Sequence, residues 1–269
     1  MVLTLKLKKK LDLYLEADSI TPDNCAGKSV DEIKKLVVFL GNRKMGLGEF
    51  FDVKGKSGDK AEDTKIVIEG NCSYVQRIGE KMSAGEIVIT GDCGMHVGNT
   101  MTGGKILVEG NADDWVGAMM DGGEITVNGD AGNHCAGAYR GNWVGMNAGK
   151  IVVKGKIGVE SGSYMRATRS RKKYPILECG SADLYLGVHN HGGTIICHGD
   201  CEGRAGADMA RGQIFIDGNL KDVLPSFKKI DDISDVKSPA GIIKGSYTQY
   251  QGDFCVSKKP GARLYVKKK

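Results

Sequence analysis

The sequence predicts an all-β protein, a right-handed parallel β-helix of about seven to eight coils with a small cap at each end. Three observations carry that expectation. One thirteen-residue pattern is written six times between Gly79 and Gly218. The glycines closing it and one earlier strand fall at Gly70, Gly91, Gly110, Gly129, Gly155, Gly180, Gly199 and Gly218, at intervals of 21, 19, 19, 26, 25, 19 and 19 residues. The half of the pattern before each closing glycine alternates aliphatic and polar residues, as in Lys65 to Glu69, which is the period of a strand. A turn of ~19 residues is also too short for a two-helix repeat.

The pattern reads Gly, two residues, Met, two residues, Gly, any, Ile, any, aliphatic, any, Gly. Gly79, Met82, Gly85, Ile87, Ile89 and Gly91 give its first copy, and copies follow from Gly98 and Gly117. In the fourth, Trp143 stands at the opening position; in the fifth, from Gly187, Asn190 replaces Met. A sixth runs from Gly206 to Gly218. Gly is 40 of 269 residues, about twice its usual share, but without the three-residue period of collagen.

Upstream of the repeats, Val2 to Leu7 and Leu11 to Leu15 alternate like half-buried strands. Ser29 with Glu32 has the spacing of a capping box, and Leu36 to Leu40 reads as a strand. Met45, Gly48, Phe50, Val53 and Gly55 resemble a degenerate copy, one residue too long. Residues 1–63 are therefore expected to cap residues 64–220, since the end of a repeat array needs cover. In the extension 221–269, Val223 to Val236 is compatible with a helix, and Asp253 to Val256 and Arg263 to Val266 with short strands.

The two long intervals mark insertions. One is the loop Gly132 to Asn142, with His134, Cys135, Tyr139 and Arg140. The other is basic and contains Arg166, Arg169, Arg171, Lys172 and Lys173. A net charge of +5 is mild and does not favour nucleic acid over a protein partner. The eight cysteines form no CxxC pair, no signal peptide opens the chain and no apolar run reaches ~18 residues, which fits a cytoplasmic protein with reduced thiols.

Alternation across a strand turns Ile66, Ile68 and their equivalents inward. The residue between them points out, and that column reads Val67, Val88, Leu107, Thr126, Val152, Ile196, Phe215. An apolar stripe of this length calls for cover, either from the chain's own terminal segments or from a partner protein. Beside it, Lys65, Glu86, Lys105, Glu124 and Lys150 alternate in sign on adjacent strands, an arrangement that specifies register. The Met column reads as flexible core filler, and Cys72, Cys93 and Cys201 fall where Ala112 and Ala131 fill the same small inward slot. Cys197, His198 and Cys201, near His189 and His191, are the one group of ligand-type residues, short of the four converging donors of a zinc site. No catalytic constellation can be assembled, so no catalytic, cofactor-binding or metal-binding residue is assigned. The partner-facing candidates are the apolar stripe, the basic insertion, Tyr139 and Arg140.

On the repeats, on Gly41-Asn-Arg-Lys-Met-Gly-Leu-Gly-Glu-Phe-Phe-Asp-Val53 and on Gly137-Ala-Tyr-Arg-Gly-Asn-Trp-Val-Gly-Met146, the chain resembles the C subunit of formylmethanofuran dehydrogenase. The repeat alone is also similar to the glutamate-synthase C-terminal β-helix domain; the two non-repeat segments narrow the choice. The resemblance implies a structural subunit of a tungsten or molybdenum enzyme that reduces CO2 with ferredoxin electrons and attaches the formyl group to methanofuran, the first step of methanogenesis from CO2. It further implies that tungsto- or molybdopterin, iron–sulfur clusters and a binuclear metal site reside in partner subunits, with none in this chain. An equivalent subunit of a bacterial formyltransferase/hydrolase complex, or a stand-alone glutamate-synthase subunit, are the alternatives.

Overall fold

The computed structural model describes residues 1–168 and 174–268. The chain begins with β1 (Val2–Leu7) and β2 (Leu15–Glu16), then α1 (Pro22–Cys25) and α2 (Val30–Lys34). β3 (Val37–Leu40), β4 (Arg43–Gly46) and β5 (Phe51–Gly55) complete the N-terminal part. The repeats supply β6 (Lys65–Glu69), β7 (Val75–Gln76), β8 (Glu86–Ile89), β9 (Lys105–Val108) and β10 (Asp121–Val127). They continue through β11 (Ala148–Ile157), β12 (Pro175–Ala182), β13 (His191–Cys197) and β14 (Arg211–Ile216). The chain closes with β15 (Lys228–Ser238), β16 (Gly241–Gly252) and β17 (Ala262–Lys267). The fold is all-β.

Thirteen strands form one sheet in the order β15-β16-β17-β14-β13-β12-β11-β10-β9-β8-β6-β1-β5. From β1 through the repeat strands to β17 every neighbour is parallel, and equivalent residues face each other: Ile66 pairs with Ile87, Ile87 with Ile106, and Ile106 with Ile125. A second line of parallel pairs joins Cys72, Cys93, Ala112, Ala131, Ile157, Ala182, Cys201 and Leu220. Successive repeats thus pair along two separate lines. The inward isoleucines, Met82, Met101, Met120, Met146 and Met209, and the small residues of the bridge column are all buried in one continuous core.

The opening glycines have a specific reason. Gly79, Gly98, Gly117, Gly162, Gly187 and Gly206 all sit at positive φ, and at the first five a Cβ would run into the isoleucine Cδ1 of a following repeat's strand. At Gly187 that atom belongs to Ile214, 2.7 Å from the added carbon. Ala136, not Trp143, holds the equivalent place in the fourth copy: its amide donates to Val116 O, as Gly117 donates to Val97 O, and its φ is 61°. Trp143 instead lies in the insertion and is exposed. Gly162 and Met165 begin a further copy, whose strand β12 arrives only after the basic insertion. Asn190 is fully buried, its Oδ1 accepting from the amides of Gly192 (2.9 Å) and Gly193 (2.7 Å). It therefore replaces a Met contact with a local turn, after which Thr194 to Cys197 pair in regular register with both neighbours.

Both ends depart from the repeat. β5 pairs antiparallel with β1, so the segment from Met45 to Gly55 is not a degenerate copy. Of the second expected strand only Leu15 is extended, and with Glu16 it pairs with β3 and β7 in a four-stranded sheet. The Ser29 capping box forms, with both reciprocal bonds to Glu32. At the other end Lys228 to Ser238 is a strand, not part of a helix, and pairs antiparallel with β16. Two register shifts in that pairing break the period-two alternation by which a strand is recognised. Asp253 to Val256 forms a turn, with the Asp253 carboxylate accepting from Cys255 N and Asp208 N, and Arg263 to Val266 is extended as expected.

Gly187 and Gly141 separate steric from conformational effects. Both have positive φ, but an added Cβ meets nothing within 4 Å at Gly141. Gly141→Ala is expected to cost about 1 kcal/mol of stability through φ alone. Gly187→Ala should cost clearly more, because Ile195 and Ile214 must also move. Thermal unfolding of the two variants measures the difference.

Candidate functional site

The repeat forces particular corner residues into the left-handed region even when they carry side chains. Arg77, His96, Trp115, His134, Glu160, Tyr185 and Arg204 form one such column, with φ between 54° and 67°. Lys81, Thr100, Met119, Tyr164, His189 and Asp208 form a second, four residues further on in each repeat. Equivalent corners lie side by side, so their side chains stack. Trp115 lies over His134 with centroids 4.2 Å apart and rings 18° from parallel, and Tyr164 lies over His189 at 4.5 Å and 15°.

The first insertion folds over these columns. Tyr139 packs against Trp115 at 4.9 Å, and its hydroxyl lies 2.8 Å from His96 Nδ1. Trp143 meets Tyr164 edge-on, at 5.8 Å and 85°. Between the insertion and the corners lies a cleft of about 280 Å³, lined by Trp115, His134, Tyr139, Arg140, Trp143, Glu160, Tyr164 and His189 among others. The Glu160 carboxylate sits 3.6 Å from His134 Nδ1, and Asp208 sits 3.7 Å from His189 Nδ1. Burial holds the His96 imidazole below its ordinary pKa, with Arg77 acting in the same direction. Burial also pushes the Tyr139 phenol up to about 12.

Tyr139 and Arg140, the two insertion residues expected to face a partner, both line this cleft. Trp115, Glu160 and Tyr164 line it too without having been singled out by the sequence, and His96 lies beneath Tyr139. A signal for the rings exists: His96, Trp115 and His134 are spaced by 19 residues, the repeat interval, so they must form a column.

The outward stripe is real in register but differs in extent. Val67, Val88, Leu107, Thr126 and Val152 pair in sequence; then Glu178 intervenes before Ile196, Phe215 and Tyr265. Glu178 turns its carboxylate to Lys150 at 2.9 Å. Ile196 and Phe215 are covered by the chain itself. They are buried with Val236, Tyr247 and Tyr265 of the C-terminal strands, Phe215 stacking on Tyr265 at 4.5 Å. The Tyr247 hydroxyl fastens that cover by donating to Asp217 Oδ1 at 2.6 Å. Val67, Leu107 and Val152 stay half-buried, and Val88 is 8 % exposed. In the charge column, Lys65 meets Glu86 at 2.7 Å and Lys105 meets Glu124 at 3.3 Å. Arg166 is exposed; Arg169, Arg171, Lys172 and Lys173 lie outside the described residues.

The ligand-type residues do not converge. Cys197 is buried and donates to Gly199 O at 3.4 Å, whereas His198 turns outward to Asp217 at 3.4 Å. His189 stacks at a corner, and His191 opens β13. Burial pushes the Cys72, Cys135 and Cys201 thiols up to about 12, the wrong direction for thiolate ligands. Among the described residues no three His, Cys, Asp or Glu side chains group as a metal site. The donor set here does not fit an iron–sulfur cluster or a pterin-bound metal.

No family model matches the sequence. Over 270 aligned residues the chain is 41 % identical to the C subunit of the tungsten-containing formylmethanofuran dehydrogenase 2 of Methanococcus maripaludis, covering 98 % of this chain and 96 % of that one. The chain belongs to the family of formylmethanofuran dehydrogenase C subunits. The C subunit of the molybdenum-containing formylmethanofuran dehydrogenase 1 of Methanosarcina barkeri is 53 % identical over 90 residues, 34 % of this chain and 30 % of that one. Among solved structures, a chain of the formyltransferase/hydrolase complex of Methylorubrum extorquens, crystallised with methylofuran, is similar with TM-score 0.86. It is 27 % identical, and the match covers 99 % of this chain and all of the other.

The His96 environment gives a pH test. Because its folded pKa is depressed, the neutral ring is equally present in folded and unfolded chains above the ordinary value near ~6.5. Below that value the unfolded chain takes up a proton that the folded chain resists, so stability falls as pH drops toward the folded pKa. NMR titration should find His96 protonating below the ordinary imidazole range, and Trp115→Ala, which opens its surroundings, should move it back up.

Proposed function

We propose that this chain is the scaffold of a tungsten- or molybdenum-dependent formylmethanofuran dehydrogenase, an oxidoreductase assembly in which it performs no chemistry itself. The observation that carries the reading is the near full-length similarity to a C subunit, which takes in the capping segment from Gly41 and the cleft-forming segment from Gly137 as well as the repeats. The assembly would reduce CO2 with ferredoxin electrons and form N-formylmethanofuran, the reaction implied by the resemblance. The tungsto- or molybdopterin subunit, the amidohydrolase-like subunit with its binuclear site and the iron–sulfur subunits would be its partners and hold the cofactors. The scattering of the His and Cys residues supports that division.

The architecture suits a scaffold. Parallel strands paired at equivalent residues and a second line of bridges support a right-handed parallel β-helix over residues 64–220, with 1–63 and 221–269 as its caps. No helix among the described residues is long and apolar enough to cross a membrane, and seven of the eight cysteines are buried free thiols, which supports a cytoplasmic location. A second reading, the equivalent scaffold of a formyltransferase/hydrolase complex, is favoured by the similarity to the Methylorubrum extorquens chain. Metal content separates the two. The purified native complex is expected to contain Fe with W or Mo; an assembled complex lacking all three would favour the second reading.

The half-buried part of the stripe gives a test of docking. Leu107→Asp places a charge between Val88 and Thr126, leaving the inward columns untouched. The isolated chain should keep its unfolding temperature within a few degrees while co-purification of partner subunits drops. Normal assembly with Leu107→Asp would remove the stripe from the interface.

A further inference from the structure

The cleft at the first insertion has the makings of a socket for a cation. Its walls are ring faces held at fixed angles: Tyr164 stacked on His189, and Trp143 standing edge-on to Tyr164. Ring faces attract a guanidinium or ammonium group and repel a carboxylate. Glu160 lines the same space and supplies a negative charge, and the histidine beside it, His134, is a cation only when protonated. Arg140 also lines the cleft, and the socket requires that an incoming cation sit nearer Glu160 than Arg140.

The rim argues for a macromolecular occupant. Trp143 is 71 % exposed, more than any other large apolar side chain among the described residues. An indole left in water costs hydrophobic free energy that only cover recovers, and Trp and Arg are among the residues most enriched at the energetic centres of protein interfaces. The volume, about 280 Å³, is enough for one long side chain. From aromatic walls, a carboxylate and a single exposed indole we infer that this cleft receives an arginine side chain projected by a partner protein of the assembly. The inference rests on the scaffold reading and names one of its contact points.

The test uses the assembled complex, purified by way of one of the partner proteins, with Trp143→Ala, Trp143→Phe and Glu160→Gln introduced in this chain. Trp143→Ala should weaken retention of the chain by about tenfold or more. Trp143→Phe should restore most of it, and Glu160→Gln should weaken it by a smaller factor that shrinks as salt is raised. Wild-type retention by both Trp143→Ala and Glu160→Gln overturns the socket while leaving the scaffold reading intact. Loss of self-association of the isolated chain on Trp143→Ala, with the complex unaffected, would assign the cleft to a second copy and also overturn it. A wild-type chain that retains no partner at all would end both readings together.

Discussion

Every feature of this molecule depends on main-chain pairing between residues that occupy the same place in successive repeats. Once Ile66, Ile87, Ile106 and Ile125 are paired, each residue has its own counterparts on either side. The backbone enforces this beyond the strands: Asp92 Oδ1 accepts from Asn111 N, Asn111 Oδ1 from Asp130 N, and Asp130 Oδ1 from Lys156 N. A side chain is therefore judged against copies of its column. Like charges would repel in such a column, so Lys and Glu alternate; flat rings gain by stacking, so Trp115, His134, Tyr164 and His189 are found in contact pairs. Extra residues cannot enter a strand without turning its inward face outward, and both insertions leave at corners instead.

The same rule decides how much is legible in the sequence. Inward columns, the charge ladder and the small Cys/Ala slot follow from period two and a 19-residue interval, and they can be read residue by residue. The opening of the fourth copy cannot, because the spacing from Trp143 to Met146 mimics the pattern while the backbone position belongs to Ala136. Gly162 and Met165 are hidden for a related reason: the insertion separates them from their strand. The cleft is legible only in part. Spacing puts His96, Trp115 and His134 in a column, but nothing in the sequence says that this column has positive φ and stacks beneath the Tyr139 to Trp143 loop.

An array of parallel strands must also end, and its two ends are closed by different means. At the start β1 continues the parallel ladder and β5 turns it antiparallel. At the finish the last strand of the chain, β17, is the one that continues the ladder, so the intervening hairpin is free to fold outside it. That hairpin does two things at once. Tyr247 covers Phe215, and the outermost strand β15, largely exposed and carrying Lys228, Lys229, Asp231 and Asp232, presents a charged edge that discourages further strand pairing. The C-terminal strands thus cover the stripe at this end, and on the far side of Glu178 the residues Val67, Leu107 and Val152 stay half-buried.

The corners bear most directly on where function resides. A non-glycine residue at φ near +60° costs roughly 1 kcal/mol or more, and glycine would remove that cost at each position. The repeat does use glycine where a Cβ would strike an isoleucine. At the neighbouring corners it places Trp115, His134, Glu160, Tyr164 and His189 instead, all at positive φ. Stacking offsets part of that cost for the rings, at about 0.5–1.5 kcal/mol per aromatic pair. It offers nothing to Glu160, whose side chain is 48 % exposed and faces a histidine rather than a fixed cation. Glu160 shares its left-handed backbone with Arg77 and Arg204 of the same column, so the repeat sets its conformation, and the proposed socket is what gives its half-exposed carboxylate a use.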